Sequence, residues 1–303
     1  MNILITGSGG FIAKEIIHSL KASNKISAFS TSLTKNSEDY TLMQIDSLEE
    51  IKIEHFQEID IFIHTANIAH KKLTKSTISE IEKINYDQTI RLFKLAARSA
   101  VKRIIFLSSV AVYGRSSEQS SFNENSPTNP HNDYGVYKLK SEISLKEICK
   151  DTITDFTILR MPMVIGKNAP GSSRLLSNFL KKRIFFPIPI LDNSNKRTLC
   201  NYKYVGRAIK EIVLTSTSPE ILNICNSDAI STYDIIRSFS NPKNKFFRIK
   251  INRPMHELFK CIPYFGRLYN KGYSNFEISS LYLDQFVRNE TDNTMNQIRS
   301  FYK

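Results

Sequence analysis

The chain has 303 residues, with 42 Lys plus Arg against 29 Asp plus Glu and a net charge of +13. A hydrophobic fraction of 41 % and a charged fraction of 23 % suit a globular protein, and a chain this long buries roughly three quarters of its unfolded surface, so disorder, collagen and coiled coil are excluded as whole-chain readings. No apolar run approaches the ~18 residues of a membrane span, and the start, Met1-Asn2-Ile3-Leu4-Ile5-Thr6-Gly7, lacks the basic region and apolar length of a signal peptide, so a cytoplasmic protein is expected.

In chain order, residues 2–6 read as a short buried strand, Gly7-Ser8-Gly9-Gly10 as a turn, and 11–20 as a helix by apolar spacing. Further strands are expected at 25–30, 40–45, 59–64 and 103–108. Between the last two, Ile78, Ile81, Ile84, Ile90, Leu92, Leu95 and Ala96 predict one long helix over 77–100. A Ser-, Asn- and Pro-rich loop over 116–133 precedes a helix over 134–150 and a strand over 156–160. Strands alternating with helices predict βαβ units: an α/β, Rossmann-like, doubly wound parallel sheet. After Pro162 the alternation fades. Short strands are expected at 221–225 and 247–251, and short helices at 233–239 and 255–261. Residues 1–165 are read as a nucleotide-binding domain and 166–303 as a smaller, interleaved substrate-binding part.

Cys149, Cys200, Cys225 and Cys261 are far apart and form no CxxC, and the six His form neither HxxxH nor HExxH, so no disulfide framework or metal site is legible. The basic residues are dispersed, the longest run being Lys181-Lys182-Arg183, which argues against nucleic acid as a partner and for a solvated basic surface or attraction to anionic ligands. The 255–272 stretch mixes Leu258, Phe259, Ile262, Tyr264, Phe265 and Leu268 with Lys260, Arg267 and Lys271; it is read as closing over the substrate side or packing on the core, with peripheral contact to a membrane surface or a partner as the alternative.

The Gly-rich turn follows a strand and opens a helix, the setting in which free N–H groups and the helix dipole receive a pyrophosphate. Its spacing is Gly-x-x-Gly-x-x-Ala, ending on Ala13. The end of the second strand, Ala28 to Lys35, holds no Asp or Glu for a ribose 2′-hydroxyl, and Thr31 and Lys35 suit a 2′-phosphate, so NADP(H) is favoured over NAD(H). Tyr134 and Lys138 form the chain's single Tyr-x-x-x-Lys. One helix face carries both, and an ammonium beside a phenol is expected to lower its pKa towards neutrality. With 27 Lys and 13 Tyr, about one such match arises by chance, so the weight comes from context. Leu107-Ser108-Ser109 closes the fifth strand at the end where parallel sheets bind ligands, so Ser109 is expected beside Tyr134; a strand-end cap is the plainer reading.

Together these residues resemble extended short-chain dehydrogenases/reductases of the NAD-dependent epimerase/dehydratase group. The resemblance runs through Thr6-Gly7-x-x-Gly10-Phe11-Ile12, Asp46, His64-Thr65-Ala66, Asn85, Ser109-x-x-x-Tyr113-Gly114, Tyr134-x-x-x-Lys138 and Arg160-x-Pro162. It implies that Ser109, Tyr134 and Lys138 are catalytic and that Gly7, Gly10, Phe11 and Ile12 hold the cofactor. Asp46 and Ser47 would lie by the adenine, Ala66 and Asn85 would line the groove, Lys138 would also hold the nicotinamide ribose, and Pro162 would pack near the nicotinamide. Within the group the sequence looks most like bacterial UDP-4-keto-6-deoxy-N-acetylhexosamine 4-reductases of capsule and O-antigen synthesis, on the stretches 158–166, 169–171, 195–198 and 258–268. That likeness puts Ser109, Tyr134 and Arg197 on the UDP-sugar, with Arg197 at the diphosphate; a surface charge is the plainer reading of Arg197. Ala13, Asn67, Met163, Ser172, Ser173 and Lys203 depart from the usual pattern, which bears on the sugar pocket more than on the chemistry. A homodimer is implied by the resemblance alone. The alternatives are a UDP-hexose 4-epimerase with tightly bound NAD and a non-catalytic NADP-sensing or scaffold protein.

Overall fold

The computed structural model describes residues 1–32, 38–68, 75–114, 121–170, 188–192, 195–225, 229–239, 243–250 and 276–287, with scattered positions between 254 and 262. Lys35, Ser172, Ser173, Lys181-Lys182-Arg183 and most of the 255–272 stretch lie outside these.

Seven strands form one parallel sheet: β1 (Asn2–Thr6), β2 (Lys25–Ser30), β3 (Thr41–Gln44), β4 (Ile61–His64), β5 (Arg103–Ser109), β7 (Asp155–Met161) and β11 (Ile221–Asn223). Their order is β11-β7-β5-β4-β1-β2-β3. The chain winds outwards from β1 in one direction and from β4 in the other, so a crevice opens at the carboxyl ends of β1 and β4, the switch point where such sheets take ligands. The register sets Thr6 against His64, His64 against Phe106, and Ser109 against Met161.

Alternation along each strand fills both faces. Ile3, Ile5, Ile63 and Leu107 join α1 (Phe11–Leu20) and α5 (Tyr202–Leu214) in one core. Leu4, Phe62, Ile104 and Phe106 join α3 (Thr89–Arg98) and α4 (Asp133–Cys149) in the other. At roughly 25 cal/mol per Å² of apolar surface removed from water, these two layers are the main source of stability.

The expected 77–100 helix is three pieces: α2 (Lys75–Glu82), a π-helical turn over Lys83–Gln88, and α3. The wide turn frees carbonyls that a regular helix would consume, and hydroxyls take them: Thr89 Oγ1 donates to Ile84 O at 3.0 Å and Ser141 Oγ to Asn85 O at 3.0 Å. Apolar spacing does not report such a turn. Two expected strands are shorter than read, β3 by losing Tyr40 and Ile45, β4 by starting at Ile61.

Beyond β7, β8 (Met163–Ile165), β10 (Arg197–Asn201) and β12 (Ala229–Ile230) make a small sheet; β9 (Ile188–Asp192) pairs β13 (Phe246–Lys250), and β6 (Ser121–Phe122) pairs β14 (Glu277–Ile278). The last helix described in full is α6 (Thr232–Phe239). Glu124 fastens this region to the main sheet: its carboxylate accepts from Asn223 N and Leu281 N, both at 2.9 Å, and from the Ser280 hydroxyl. Among the described residues, no helix is long and apolar enough to cross a membrane and no His, Cys, Asp and Glu cluster could hold a metal ion.

Candidate active site

The turn after β1 requires glycine at its first position. Gly7 has φ +74°, and a Cβ there would sit 2.7 Å from the Ala66 backbone, so the β1 and β4 ends touch main chain to main chain. Gly10 N donates to Gly7 O at 2.9 Å, which closes the turn. Gly10 caps α1 without a side-chain hydrogen bond, and no acid lies in the first turn. An uncapped helix start reached over a bare backbone fits a pyrophosphate. Phe11 and Ile12 are half-buried beside it.

At the rim, Thr31 is exposed past the end of β2, and Ser30 Oγ is used locally, donating to Ser32 O at 2.8 Å. Asp46 is exposed. Ser47 lies next to it, but its hydroxyl already accepts from Glu49 N (3.2 Å) and Gln88 Nε2 (3.3 Å). Asn85 is buried on the π turn and spends its carboxamide on one residue, accepting from Ile68 N at 2.7 Å and donating to Ile68 O at 2.9 Å. It therefore shapes the loop after Ala66.

Beneath this rim His64 is fully buried between Thr6 Oγ1 (2.7 Å) and Thr89 Oγ1 (2.9 Å). Thr89 already donates to Ile84 O, so it accepts from Nε2–H and Thr6 donates to Nδ1. The ring is neutral. Burial, then the Lys138 charge, pushes its pKa down to about 3.

The candidate catalytic residues do meet. Ser109 ends β5, and its Oγ accepts from Ala111 N at 3.2 Å. Tyr134 lies half-buried in the first turn of α4, where the Ser109 side chain acts on its phenol. Lys138, one helical turn on, is 1 % exposed. Its Nζ donates to Leu107 O at 2.8 Å and lies 4.6 Å from the Phe106 ring centroid and 5.9 Å from that of Tyr134. The expected lowering of the phenol pKa is not found. Burial pushes Tyr134 up to about 12, opposed by the Ser109 side chain, and burial brings Lys138 down to about 7, opposed by Glu142. For each group, removal from water outweighs the neighbour that opposes it.

Pro162 is buried directly after Met161, the register partner of Ser109. Met163 is 40 % exposed on β8. Arg197 is half-buried on β10, paired with Ile230 and bridged to Phe276. One residue that the sequence reading passed over is Glu142, 2 % exposed and bound to Arg160. Its signal was available: it lies four positions beyond Lys138 on the same helix face.

Residues 3–225 match the model of the NAD dependent epimerase/dehydratase family. The chain belongs to this family. It is an enzyme of that class, as expected from the motifs. It is 25 % identical to a UDP-glucose 4-epimerase of Vibrio cholerae, over 89 % of this chain and 83 % of that one. Two solved structures share the fold, each with a TM-score of 0.76. One is a UDP-glucuronic acid 4-epimerase from Bacillus cereus in complex with NAD, at 17 % identity over 100 % of this chain and 97 % of that one. The other is a UDP-N-acetylglucosamine 4-epimerase from Methanobrevibacter ruminantium M1 in complex with UDP-N-acetylmuramic acid, at 19 % identity over 99 % and 96 %. At such identities the structures establish the Rossmann-like architecture and nothing narrower.

Proposed function

We propose that this protein reduces the C4 carbonyl of a UDP-4-keto-6-deoxy-N-acetylhexosamine for surface polysaccharide synthesis. The observation that carries the reading is the meeting of Ser109, Tyr134 and Lys138 at the carboxyl end of β5, on the crevice headed by the Gly7–Gly10 turn. When bound there, NADPH or NADH would supply the hydride. The acid-free end of β2 and exposed Thr31 support NADPH; the NAD named with the Bacillus cereus relative supports NADH.

The residues divide the work as follows. Tyr134 stands as a protonated phenol, its pKa pushed up to about 12 by burial, and is suited to give its proton to the oxygen at C4. Ser109 hydrogen-bonds that oxygen and opposes the charge that develops on it. Lys138 lies under the phenol and would hold the nicotinamide ribose of a bound cofactor. Residues 166–303 form the substrate side, with Arg197 as a planar donor to the diphosphate.

A second reading, a UDP-sugar 4-epimerase, is favoured by the Vibrio cholerae relative, which aligns over most of both chains. One experiment separates them. The protein is incubated with UDP-4-keto-6-deoxy-GlcNAc and either NADPH or NADH, and separately with UDP-GlcNAc or UDP-glucose without added cofactor, and the products are read by NMR. Reduction in the first arm alone establishes the reductase, C4 epimers in the second the epimerase. No conversion in either arm refutes both.

A further inference from the structure

Helix α4 carries Tyr134 and Lys138 and continues one turn to Glu142, so the three side chains share a face. Two strands grip the Glu142 carboxylate. The Ser108 hydroxyl donates to Oε1, Arg160 Nε donates to both oxygens at 3.2 Å, and Arg160 Nη2 donates to Oε2 at 2.7 Å. Ser108 and Arg160 are register partners across β5 and β7. Leu107, just before Ser108, supplies the carbonyl that holds Lys138 Nζ. Consecutive residues of β5 thus fix a buried ammonium and a buried carboxylate, one helical turn apart.

We propose that Glu142 is a positioning residue: pinned by Arg160 and Ser108 one helical turn from Lys138, its carboxylate favours the protonated form of Lys138 and its seat on Leu107 beneath Tyr134. The inference rests on the role given to Lys138 above and adds the group that governs it. Arg160 is anchored on its far side, where its guanidinium lies 4.8 Å from the Tyr113 ring centroid and the Tyr113 hydroxyl donates to Asn223 Oδ1 at 2.9 Å. Burial works against the Arg160 charge, and its bonds to Glu142 more than offset this.

The surroundings of Lys138 leave Glu142 as its nearby carboxylate among the described residues. From α4 the neighbours are Tyr134 and Glu142, from β4 neutral His64, and from β5 the Leu107 carbonyl and the Phe106 ring. From β7 the neighbour is Arg160, reached through Glu142, and from the turn after β5 it is Tyr113, reached through Arg160. On the π turn Asp87 acts on Tyr137, and on α3 Arg91 donates to the carbonyls of Leu48 and Ile51.

The test is an NMR titration of the full chain labelled at lysine Cε, with the Lys138 signal identified by its loss in Lys138→Met. Wild type is expected to titrate at about 7. Glu142→Gln is expected to move the midpoint down by about one pH unit or more, and Glu142→Asp to restore part of it. An unmoved midpoint in folded Glu142→Gln overturns the proposal, even if stability has fallen, because a purely structural role predicts that pattern. Should Glu142→Gln fail to fold, Glu142→Met combined with Arg160→Met removes the pair as a unit and carries the same expectation and the same refutation. UDP-sugar turnover on the same samples keeps the two readings apart. Active wild type with an unmoved midpoint overturns the role of Glu142 alone; a moved midpoint in protein inert to every UDP-sugar overturns the proposed function alone.

Discussion

Helices α1 and α4 flank the crevice from opposite faces of the sheet and are built on opposite plans. The inner face of α1 is hydrocarbon: Ala13, Ile16, Ile17 and Leu20. Its N-terminus is bare, with no side-chain cap and no acid. The inner face of α4 carries Lys138, Ser141 and Glu142 among Tyr137, Leu145 and Cys149, and its N-terminus is closed by Asn132, whose Oδ1 accepts from Gly135 N at 2.8 Å, with Asp133 in the first turn. So α1 offers its end and α4 its side. A helix end serves an anion through backbone N–H groups, whereas a helix side holds chosen side chains in fixed order.

Changes on the side of α4 should therefore have effects that packing alone does not explain. The largest is expected for Tyr134→Phe, which removes a hydroxyl and leaves the ring: kcat should fall by about 10²–10⁴-fold with cofactor affinity nearly unchanged. Fluorescence titration of cofactor beside steady-state turnover checks both halves, and wild-type kcat in the variant would remove Tyr134 from the chemistry.

Arg160→Met leaves the Glu142 carboxylate buried without its partner and should cost about 3–5 kcal/mol in denaturant unfolding, whereas replacing both residues by Met should cost far less. On α1 the corresponding blow is a cavity. Ile16 is fully buried, and Ile16→Ala should cost about 2–4 kcal/mol with turnover per folded molecule retained. Equal costs for the single and double Met variants would mean that the α4 face behaves like the α1 face.

The two helices also differ in how far they could be read in advance. The β1–turn–α1 unit is local: strand, glycines and apolar spacing lie within twenty residues and hardly depend on the rest of the chain. Tyr134 and Lys138 were legible because a spacing of four puts both on one face. The Tyr134 shift was not, since burial is set by tertiary packing that a spacing along one helix does not report. Glu142 escaped notice because its meaning comes from Ser108 and Arg160, adjacent only through the β5–β7 register. The π turn was hidden because an extra residue in a helix leaves the apolar pattern nearly intact. β11 joins the main sheet from beyond residue 165, where the strand–helix alternation had already faded.

Lys138 predicts a pH dependence with a definite sign. Its folded pKa is about 7 against an ordinary 10.5, so between those values the unfolded chain binds a proton that the native chain does not. Stability should rise with pH across that window at up to about 1.4 kcal/mol per unit, and the gain is absent below pH 7, where both states are protonated. Unfolding measured from pH 7 to 9 should show wild type gaining about 2–3 kcal/mol relative to Lys138→Met. Parallel curves would place the lysine in water.

The smallest effect expected concerns the two helix ends. Asn132→Ala removes the hydrogen bond to Gly135 N and should cost about 1 kcal/mol, the ordinary worth of such a cap. Asn132 is exposed, so the substitution disturbs no core. The consequence for turnover is more informative than the stability. Gly135 is buried, and a Cβ there would meet Ala111 O at 2.7 Å, so the first turn of α4 is already wedged against the turn that follows Ser109. If that wedge alone positions Tyr134, Asn132→Ala should lower the melting temperature by a few degrees with kcat kept within a factor of about two. If kcat falls tenfold instead, the cap also positions the phenol, and α4 uses its end as well as its side.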